Sequence, residues 1–299
     1  MRRSWRPSAS WRSSPASTAS STPWRWRSIS EGAPNGPLGV VITGGSRGLG
    51  YAVARELLRA GDRVVLCARD AERLGEAVEA LRAEAGERVE GLACDIAQPE
   101  AARRLAELAG QRLGTVDRWI NNAGTAGRLK RPLEALPAED VHATCTTNLA
   151  GAMALSAEAV RLMRRQPEAP HPRYHLFNLG FSAFGAALSR TSIPHKVSKL
   201  AVASLSAHLR RELRRTRVRS IGVHELRPGL VRTELLLADA GPEAQRVIDA
   251  LAEEPEAVAR HLAPQIRAVS GTGRVLQRRS KPATLARALR RVPPAVLRR

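Results

Sequence analysis

The sequence predicts an α/β protein, a single domain built on one doubly wound parallel sheet. Two observations lead to this prediction. Short apolar runs of strand length alternate with helix-length segments from Leu38 onward, and no internal repeat or linker divides them. The chain also has 299 residues, which is enough for one large hydrophobic core without a disulfide or a metal to hold it together.

The predicted elements follow one another in a regular order. LGVVIT is the first strand, YAVARELLRAG the first helix, RVVLCAR the second strand and AERLGEAVEALRAEAG the second helix. A third strand in RVEGLACD, a helix over 100–113 and a fourth strand before NNAG come next. A long helix over about 138–165, a strand in RYHLFNLG, a helix over 195–215 and a strand in VRSIGVHELRPG complete the series. We therefore expect about six or seven parallel strands with helices on both faces of the sheet.

The net charge of +20 is concentrated at the two ends of the chain. Residues 1–37 hold six arginines and one acid, and eleven basic residues with no acid follow Ala257. The body between them is close to neutral, so the charge does not indicate a nucleic-acid-binding protein. We expect the α/β domain to span 38–270 and a basic tail to span 271–299. This tail could contact an anionic membrane or remain solvated.

The first 37 residues are rich in Arg and Ser and poor in acids. They lack the apolar core of a secretory signal and are typical of a mitochondrial or plastid transit peptide; a disordered extension is the alternative. No stretch approaches the eighteen uninterrupted apolar residues of a membrane span. The three cysteines lack zinc-site spacing, and no histidine pair has ligand spacing with an acid or a cysteine. We therefore predict no metal.

A glycine-rich turn joins the first strand to the first helix. At this position glycines let the backbone approach a pyrophosphate, and the helix N-terminus supplies N–H donors. Such a turn alone is weak evidence, but its place in a βα alternation predicts a Rossmann-type dinucleotide site. The candidate binding residues in the turn are Thr43, Gly44, Ser46, Arg47, Gly48, Leu49 and Gly50.

The end of the second strand favours a phosphorylated cofactor. A fold specific for NAD usually has a carboxylate there for the ribose 2′-hydroxyl, whereas this chain has Ala68 followed by Arg69. Arg69 and Arg47 would bring two guanidinium groups near the 2′-oxygen, which favours the phosphate of NADPH. The next residue, Asp70, is expected to cap the second helix. We therefore predict NADPH as the cofactor.

Two further strand ends carry polar candidates. Asp95 ends the third strand and could accept a hydrogen bond from the adenine amino group. The fourth strand ends in NNAG, which adds Asn122, Ala123 and Gly124. Because the carboxyl ends of parallel strands bind the ligand in open α/β sheets, we expect these residues to line one site.

In this order, the motifs resemble those of the short-chain dehydrogenase/reductase family, over about 38–270. Within the family the sequence is most similar to the plastid chlorophyll(ide) b reductases, in GYAVARELLRAGDRVVLCAR, DRWINNAG, HLFNLG, VHELRPGLVRTELLL and LAEEPEAVARHLAPQIRAV. The resemblance implies NADPH-dependent reduction of the C7-formyl group of chlorophyll b or chlorophyllide b to a hydroxymethyl group, in chlorophyll breakdown in the chloroplast.

The resemblance also implies roles for single residues. Ser182 would bind the substrate carbonyl, and Asn148 would order a water that links Lys199 to solvent. Lys199 would also contact the cofactor and lower the pKa of the proton donor. The Pro228-Gly229 turn would border the cofactor, and Thr233 would bind the nicotinamide amide.

The sequence departs from the family at the proton donor. The family motif is Tyr-x-x-x-Lys, and His195 takes the place of the tyrosine, four residues before Lys199. Neither Tyr51 nor Tyr174 is placed to substitute. An imidazolium can donate a proton, but a cationic Lys199 one helical turn away lowers its pKa. The sequence predicts weakened activity that rises as the pH falls, and a non-catalytic dinucleotide-binding paralogue is the alternative.

Three functions therefore remain open. The first is the chlorophyll(ide) b reductase, whose large tetrapyrrole substrate suits an aliphatic covering segment at Leu230 and Leu235–Leu237, although helix packing explains those leucines as well. The second is a plastid reductase of another carbonyl, such as a ketoacyl group. The third is a dinucleotide-binding partner of an active relative. The long helices over 138–165 and 195–215 carry the dimer interface in the family, so we expect a homo- or hetero-oligomer and no nucleic-acid partner.

Overall fold

Seven parallel strands form one sheet in the order β3-β2-β1-β4-β5-β6-β7 in a computed structural model. The structure describes residues 36–181, 191–238 and 241–278, except the side chains of 242–244 and 247. The strands are β1 (Gly39–Thr43), β2 (Arg63–Ala68), β3 (Val89–Ala93), β4 (Arg118–Asn121), β5 (Tyr174–Leu179), β6 (Ile221–Arg227) and β7 (Val275–Gln277). The predicted α/β fold with one doubly wound parallel sheet is confirmed.

The helices cover both faces of this sheet. They are α1 (Gly48–Arg59), α2 (Ala71–Ala85), α3 (Ala101–Leu113), α4 (Ala138–Cys145), α5 (Gly151–Arg164), α6 (Ile193–Arg215), α7 (Glu234–Leu237), α8 (Pro242–Leu251) and α9 (Pro255–Ala268). A π-helical turn over Thr146–Ala150 joins α4 to α5, so the long helix predicted over about 138–165 is continuous but locally widened.

The alternation of side chains along β1 divides the core into two layers. Val40 and Ile42 pack with α1, α2 and α9 on one face, whereas Val41 packs with α3 and α5 on the other. All five residues of β1 are buried, because helices cover both faces of the strand. This double burial explains why the strands appear in the sequence as continuous apolar runs rather than alternating ones.

A buried polar network lies under the carboxyl end of β4 and β5. Asn121 donates to Asn178 on the neighbouring strand at 2.9 Å and to Ser156 of α5 at 3.1 Å, and it accepts from the Trp119 indole at 2.8 Å. Asn178 in turn donates to Ser206 of α6 at 3.0 Å. The network therefore fixes two long helices against the strand that leads into the candidate site.

The sheet extends beyond the expected domain boundary at residue 270. β7 pairs with β6 through Leu226 and Leu276, and Leu276 is buried in the core. The sequence predicts this segment as part of the basic tail. Only one of the three residues of β7 is buried, so the strand has no recognisable apolar run. Nearly all of 1–37 and the tail from 279 onward lie outside the described residues. Within the described ranges, no helix is both long and apolar enough to cross a membrane.

Candidate active site

The candidate site lies where the strand order reverses, between β1 and β4. The chain leaves these adjacent strands toward opposite sides of the sheet, which opens a crevice at their carboxyl ends. The glycine-rich turn follows β1, and Asn122, Ala123 and Gly124 follow β4. The predicted dinucleotide-binding motifs therefore meet at one edge of the sheet.

The glycine turn is shaped for close approach to a ligand backbone. Gly44 and Gly48 have φ angles of 70° and 58°, a region that favours glycine. A Cβ on Gly50 would lie 2.1 Å from the Gly44 carbonyl oxygen, so the start of α1 packs directly on the turn. Ser46 is half-buried within the turn, and Leu49 is buried in the first turn of the helix. These features fit a pyrophosphate bound at the N-terminus of α1.

Asn122 couples the two halves of the crevice. Its side-chain amide donates to the carbonyl oxygens of Thr43 at 2.9 Å and Gly44 at 3.0 Å. The Ala123 N–H donates to the Thr43 hydroxyl at 3.1 Å. The residues that follow β4 therefore hold the glycine turn in place.

The basic cluster expected around the cofactor 2′-phosphate is larger than the sequence indicated. Ala68 is buried at the end of β2, and Arg69 beside it is exposed. Arg47 contacts the carboxylate of Glu234 in α7, and Arg73 of α2 lies 3.2 Å from that same carboxylate. Sequence reasoning missed Arg73 and Glu234, because one lies inside a helix pattern and the other lies far along the chain.

Two aspartates in this region make local bonds. Asp70 caps α2, as predicted, by accepting from the Arg73 N–H at 3.1 Å. Asp95 accepts from the Ala97 N–H at 3.0 Å, which holds the turn after β3. Its contact with an adenine amino group stays a prediction.

Asn148 lies in the π-helical turn and is buried. Its side-chain oxygen accepts from the Thr125 N–H at 2.8 Å, and its side-chain amide donates to the Thr125 backbone carbonyl oxygen at 2.8 Å. The amide also donates to the Ser198 hydroxyl of α6 at 3.0 Å. Asn148 therefore joins the loop after β4 to the helix that carries His195 and Lys199.

His195 is buried, and one of its ring nitrogens has a fixed partner. Nδ1 lies 2.6 Å from the Thr125 carbonyl oxygen, which can only accept, so Nδ1 carries the proton. Phe181 packs its ring against the imidazole at a centroid distance of 5.3 Å and an interplanar angle of 78°. Burial is the main cause that lowers the pKa of His195 to about 4; the hydrogen bond with Thr125 opposes this shift, and the charge of Lys199 adds to it. At neutral pH the ring is therefore uncharged.

Lys199 lies one helical turn beyond His195 and is also buried. Its Nζ donates to the Leu179 carbonyl oxygen at 3.2 Å, and burial lowers its pKa to about 8. A Cβ on Gly124 would come within 2.9 Å of both Lys199 Nζ and the Asn148 side-chain oxygen. Gly124 is therefore the residue against which these two polar groups converge.

Ser182 lies outside the described residues. The two tyrosines are in α1 and β5, and the Tyr174 hydroxyl donates to the Pro167 carbonyl oxygen at the amino end of the sheet. At the position of the family tyrosine the chain therefore presents an imidazole. The described residues contain no group of three or more His, Cys, Asp or Glu side chains that could hold a metal ion.

The segment after Pro228 passes over the crevice. Gly229 has a φ of 86°, and Thr233 lies against the glycine turn, since a Cβ on Gly48 would be 3.1 Å from its methyl group. Lys130 anchors the far end by donating to the Leu236 carbonyl oxygen at 2.7 Å. Leu235 is exposed on this segment. The anchoring by Lys130 has no counterpart in the sequence motifs.

The sequence of the chain is similar to those of known oxidoreductases. The model of the short chain dehydrogenase family matches residues 39–240. The chain is 37% identical over 238 residues to the chloroplastic chlorophyll(ide) b reductase NOL of Arabidopsis thaliana, covering 79% of this chain and 67% of that protein. It is 34% identical over 273 residues to the probable chloroplastic chlorophyll(ide) b reductase NYC1 of Oryza sativa subsp. japonica, and covers 53% of that longer protein.

The fold is also similar to those of solved structures. A short chain dehydrogenase from Burkholderia cenocepacia, in complex with NADP, is 25% identical with a TM-score of 0.65, covering 80% of this chain and 96% of that one. L-Sorbose reductase from Gluconobacter frateurii, complexed with NADPH and L-sorbose, is 25% identical with a TM-score of 0.65 and covers 81% and 96%. Both neighbours therefore carry a nicotinamide dinucleotide on the same fold.

Proposed function

Because the chain belongs to the short-chain dehydrogenase family, we propose that it is an NADPH-dependent reductase of chlorophyll b or chlorophyllide b. It would convert the C7-formyl group to a hydroxymethyl group. The observation that carries this proposal is the convergence of Asn148, His195 and Lys199 on Gly124 and Thr125, at the edge of the sheet that also holds the glycine turn. The similarity to two chlorophyll(ide) b reductases supports the substrate. Their names also support a chloroplast location.

The cofactor would lie along the carboxyl ends of β1, β2 and β4. The N–H groups at the start of α1 would bind its pyrophosphate, and Thr233 would bind its nicotinamide amide. Arg69, Arg47 and Arg73 would surround a 2′-phosphate, which supports NADPH rather than NADH. When bound, the reduced nicotinamide supplies a hydride to the carbonyl carbon.

The residues of the chain would supply the proton and hold the substrate. Ser182 is proposed to bind the carbonyl oxygen. His195 Nδ1 is bonded to the Thr125 carbonyl, so Nε2 is the nitrogen left to pass a proton to the developing alkoxide. Lys199 and Asn148 would return that proton from solvent through an ordered water. Because the folded pKa of His195 is about 4, only on the order of one ring in a thousand is protonated at pH 7.

Incubation of the purified chain with NADPH and chlorophyllide b tests the proposal. We expect the hydroxymethyl product by chromatography and mass spectrometry, with a faster rate at pH 6 than at pH 8. Replacing NADPH with NADH should reduce the rate, and so should the variant Arg69→Ala. Turnover of a ketoacyl thioester with no turnover of chlorophyllide b would show that the protein reduces another carbonyl substrate, and would contradict the proposed one.

One observation favours a second candidate, a dinucleotide-binding protein without turnover. The neutral His195 at the family proton-donor position is a poor acid at physiological pH. NADPH titration, followed by intrinsic tryptophan fluorescence, separates the two candidates when it is combined with the turnover assay. Binding with no product at any pH between 5 and 8 would favour the binding protein.

The long helices support the expected oligomer. Met153 on α5 and Ile193, Val197 and Leu200 on α6 expose apolar side chains, with exposed fractions of 36–56%. Such a surface on two neighbouring helices is suited to burial against a second copy or a related reductase. Light scattering after size-exclusion chromatography should give a mass of at least two chains. A monomer at micromolar concentration would contradict this part of the proposal.

A further inference from the structure

Two thiols lie side by side next to the proposed cofactor site. Cys67 is the fifth residue of β2, and Cys94 directly follows β3. Their Sγ atoms are 3.1 Å apart, and both cysteines are free. Neither residue has a part in the proposed reaction.

The strand register explains why these two side chains meet. Cys67 is directly opposite Leu92 in the parallel pair of β2 and β3. Cys94 lies two residues beyond Leu92, so its side chain leaves the same face of the sheet. The ladder continues past β3, because the Cys94 N–H donates to the Ala68 carbonyl oxygen at 2.9 Å. The two sulfurs are thus diagonal neighbours on adjoining hydrogen-bonded strands.

The environment makes the two thiols unequal. Cys67 is completely buried, whereas Cys94 keeps 8% of its surface exposed. The hydrogen bond with Cys94 raises the pKa of Cys67, and burial raises it further. The hydrogen bond from Cys67 lowers the pKa of Cys94, with a further contribution from Arg104. Cys94 is therefore the less buried of the two cysteines and the thiol that ionises more readily.

We propose that Cys67 and Cys94 form a reversible disulfide when a peroxide oxidises the protein. The Cys94 thiolate attacks one peroxide oxygen, which gives a sulfenic acid on Cys94 and releases the other oxygen as hydroxide. The Cys67 sulfur then attacks the Cys94 sulfur, the S–O bond breaks, and the departing oxygen leaves as water with the Cys67 proton. The hydroxide takes up the proton that the Cys94 thiol had lost, so with hydrogen peroxide two thiols are oxidised, one peroxide is reduced, and two waters form. The sulfurs must approach by about 1 Å to reach a disulfide bond length.

The position of Cys67 links this bond to cofactor binding, and this link rests on the proposed function. The Cys67 carbonyl oxygen accepts from the Gly44 N–H at 2.7 Å and from the Gly45 N–H at 3.1 Å, so the glycine turn is anchored on this residue. Arg69 follows Cys67 by two residues, and Asp95 follows Cys94 directly. Drawing β2 and β3 together at this point would shift the glycine turn, Arg69 and Asp95, which are the proposed cofactor-binding groups nearest to the two cysteines in the chain or by hydrogen bond. Oxidation is therefore expected to weaken NADPH binding.

Mass spectrometry of the intact chain tests the bond itself. The reduced protein is treated with hydrogen peroxide, denatured with an alkylating agent present, and digested. We expect the loss of two hydrogen atoms, a cross-linked peptide pair that contains Cys67 and Cys94, and full reversal by dithiothreitol. The matched variant Cys145→Ser should retain the cross-link, and Cys94→Ser should lose it. Oxygen adducts on Cys94 without a cross-link, or a bridge to Cys145, would overturn the proposal.

NADPH titration of the reduced and the oxidised protein tests the consequence. We expect a dissociation constant roughly tenfold higher after oxidation, restored by dithiothreitol. Equal affinities with the cross-link present would overturn the link to cofactor binding. If the reduced protein binds no dinucleotide, the proposed function fails, whereas the peptide analysis still decides whether the disulfide forms.

Discussion

The low pKa of a single residue, His195, limits proton donation in the site. Burial among Phe181, Thr125 and Asn148 removes the ring from water, and the nearby ammonium of Lys199 further disfavours a second positive charge. A tyrosine at this position would enter the same surroundings as a neutral donor. After the tyrosine gives up its proton, the positive charge of Lys199 would stabilise the phenolate, whereas the same charge destabilises an imidazolium.

Exchange of this side chain should therefore change both the rate and its pH dependence. For the natural chain we expect the rate of chlorophyllide b reduction to rise about tenfold for each pH unit between 8 and 5, as the protonated fraction of His195 grows. His195→Tyr should raise the rate at pH 8 by roughly 10- to 100-fold and flatten the profile. Initial rates across this pH range measure both effects. A flat profile for the natural chain, or an inactive folded tyrosine variant, would contradict the role of His195.

Gly124 gives a second test at the residue scale. Gly124→Ala would place a methyl group 2.9 Å from Lys199 Nζ and displace it or Asn148. We expect kcat to fall about 10- to 100-fold, because a small displacement of a group at the reacting centre lowers the rate strongly. Gly75→Ala is the matched control, since Gly75 is exposed in α2 and nothing lies within 4 Å of its Cβ position. Unchanged kcat in folded Gly124→Ala would show that Lys199 and Asn148 act elsewhere.

At the scale of elements, α7 connects the covering segment to the cofactor side of the crevice. Glu234 of α7 contacts Arg47 of the glycine turn and Arg73 of α2. All three side chains are at least half exposed, so each ion pair contributes little to stability. The same guanidinium groups are the proposed partners of the 2′-phosphate, so the carboxylate competes with that ligand.

Removing the charge of Glu234 should therefore favour the phosphorylated cofactor. Glu234→Gln is expected to tighten NADPH binding about two- to fivefold and to leave NADH binding unchanged, since NADH lacks the 2′-phosphate. Fluorescence titrations with both nucleotides measure this difference. Glu79→Gln, at an exposed position of α2, is the control for a change in net charge. Equal tightening of NADPH and NADH would place the 2′-phosphate away from these arginines.

The whole molecule buries three neutral histidines. His175 and His224 lie on neighbouring strands with their ring nitrogens 2.9 Å apart, and His195 is in the site. Burial lowers the folded pKa of His224 to about 3 and that of His195 to about 4, and it lowers that of His175 in the same direction. The unfolded chain binds protons near pH 6.5, whereas the folded chain does not. Stability is therefore present above pH 6.5 and is lost as the pH falls below it.

This difference predicts acid sensitivity of the folded protein. Between pH 7 and pH 5 we expect the free energy of unfolding to fall by about 2 kcal/mol for each buried histidine. Urea denaturation followed by circular dichroism at the two pH values measures the loss. His224→Gln removes one of the titrating rings and should reduce the loss, whereas the exposed His208→Gln should not. A free energy of unfolding that is constant between pH 7 and pH 5 would contradict neutral burial of these rings.

The sequence predicts most of the sheet and the cofactor half of the site. The apolar runs mark six of the seven strands because central strands such as β1 are buried on both faces. TGGSRGLG marks the turn because few other sequences allow such close packing of backbone. The sequence does not predict β7, because a strand of three residues has too few side chains to show a pattern. The roles of Asn148, His195 and Lys199 are implied by the resemblance to the family. The structure adds that all three side chains contact the segment around Gly124.

By itself, then, the sequence determined the α/β class, the glycine turn, the cap at Asp70 and the substitution of the family tyrosine by His195. These features depend on local backbone geometry and on patterns only a few residues long. Tertiary structure alone decided that burial is the main cause of the low pKa of His195, that Glu234 reaches the arginines of the cofactor side, and that Cys67 lies against Cys94. Such contacts join residues far apart in the chain, so strand order, register and burial set them, and no local pattern records them.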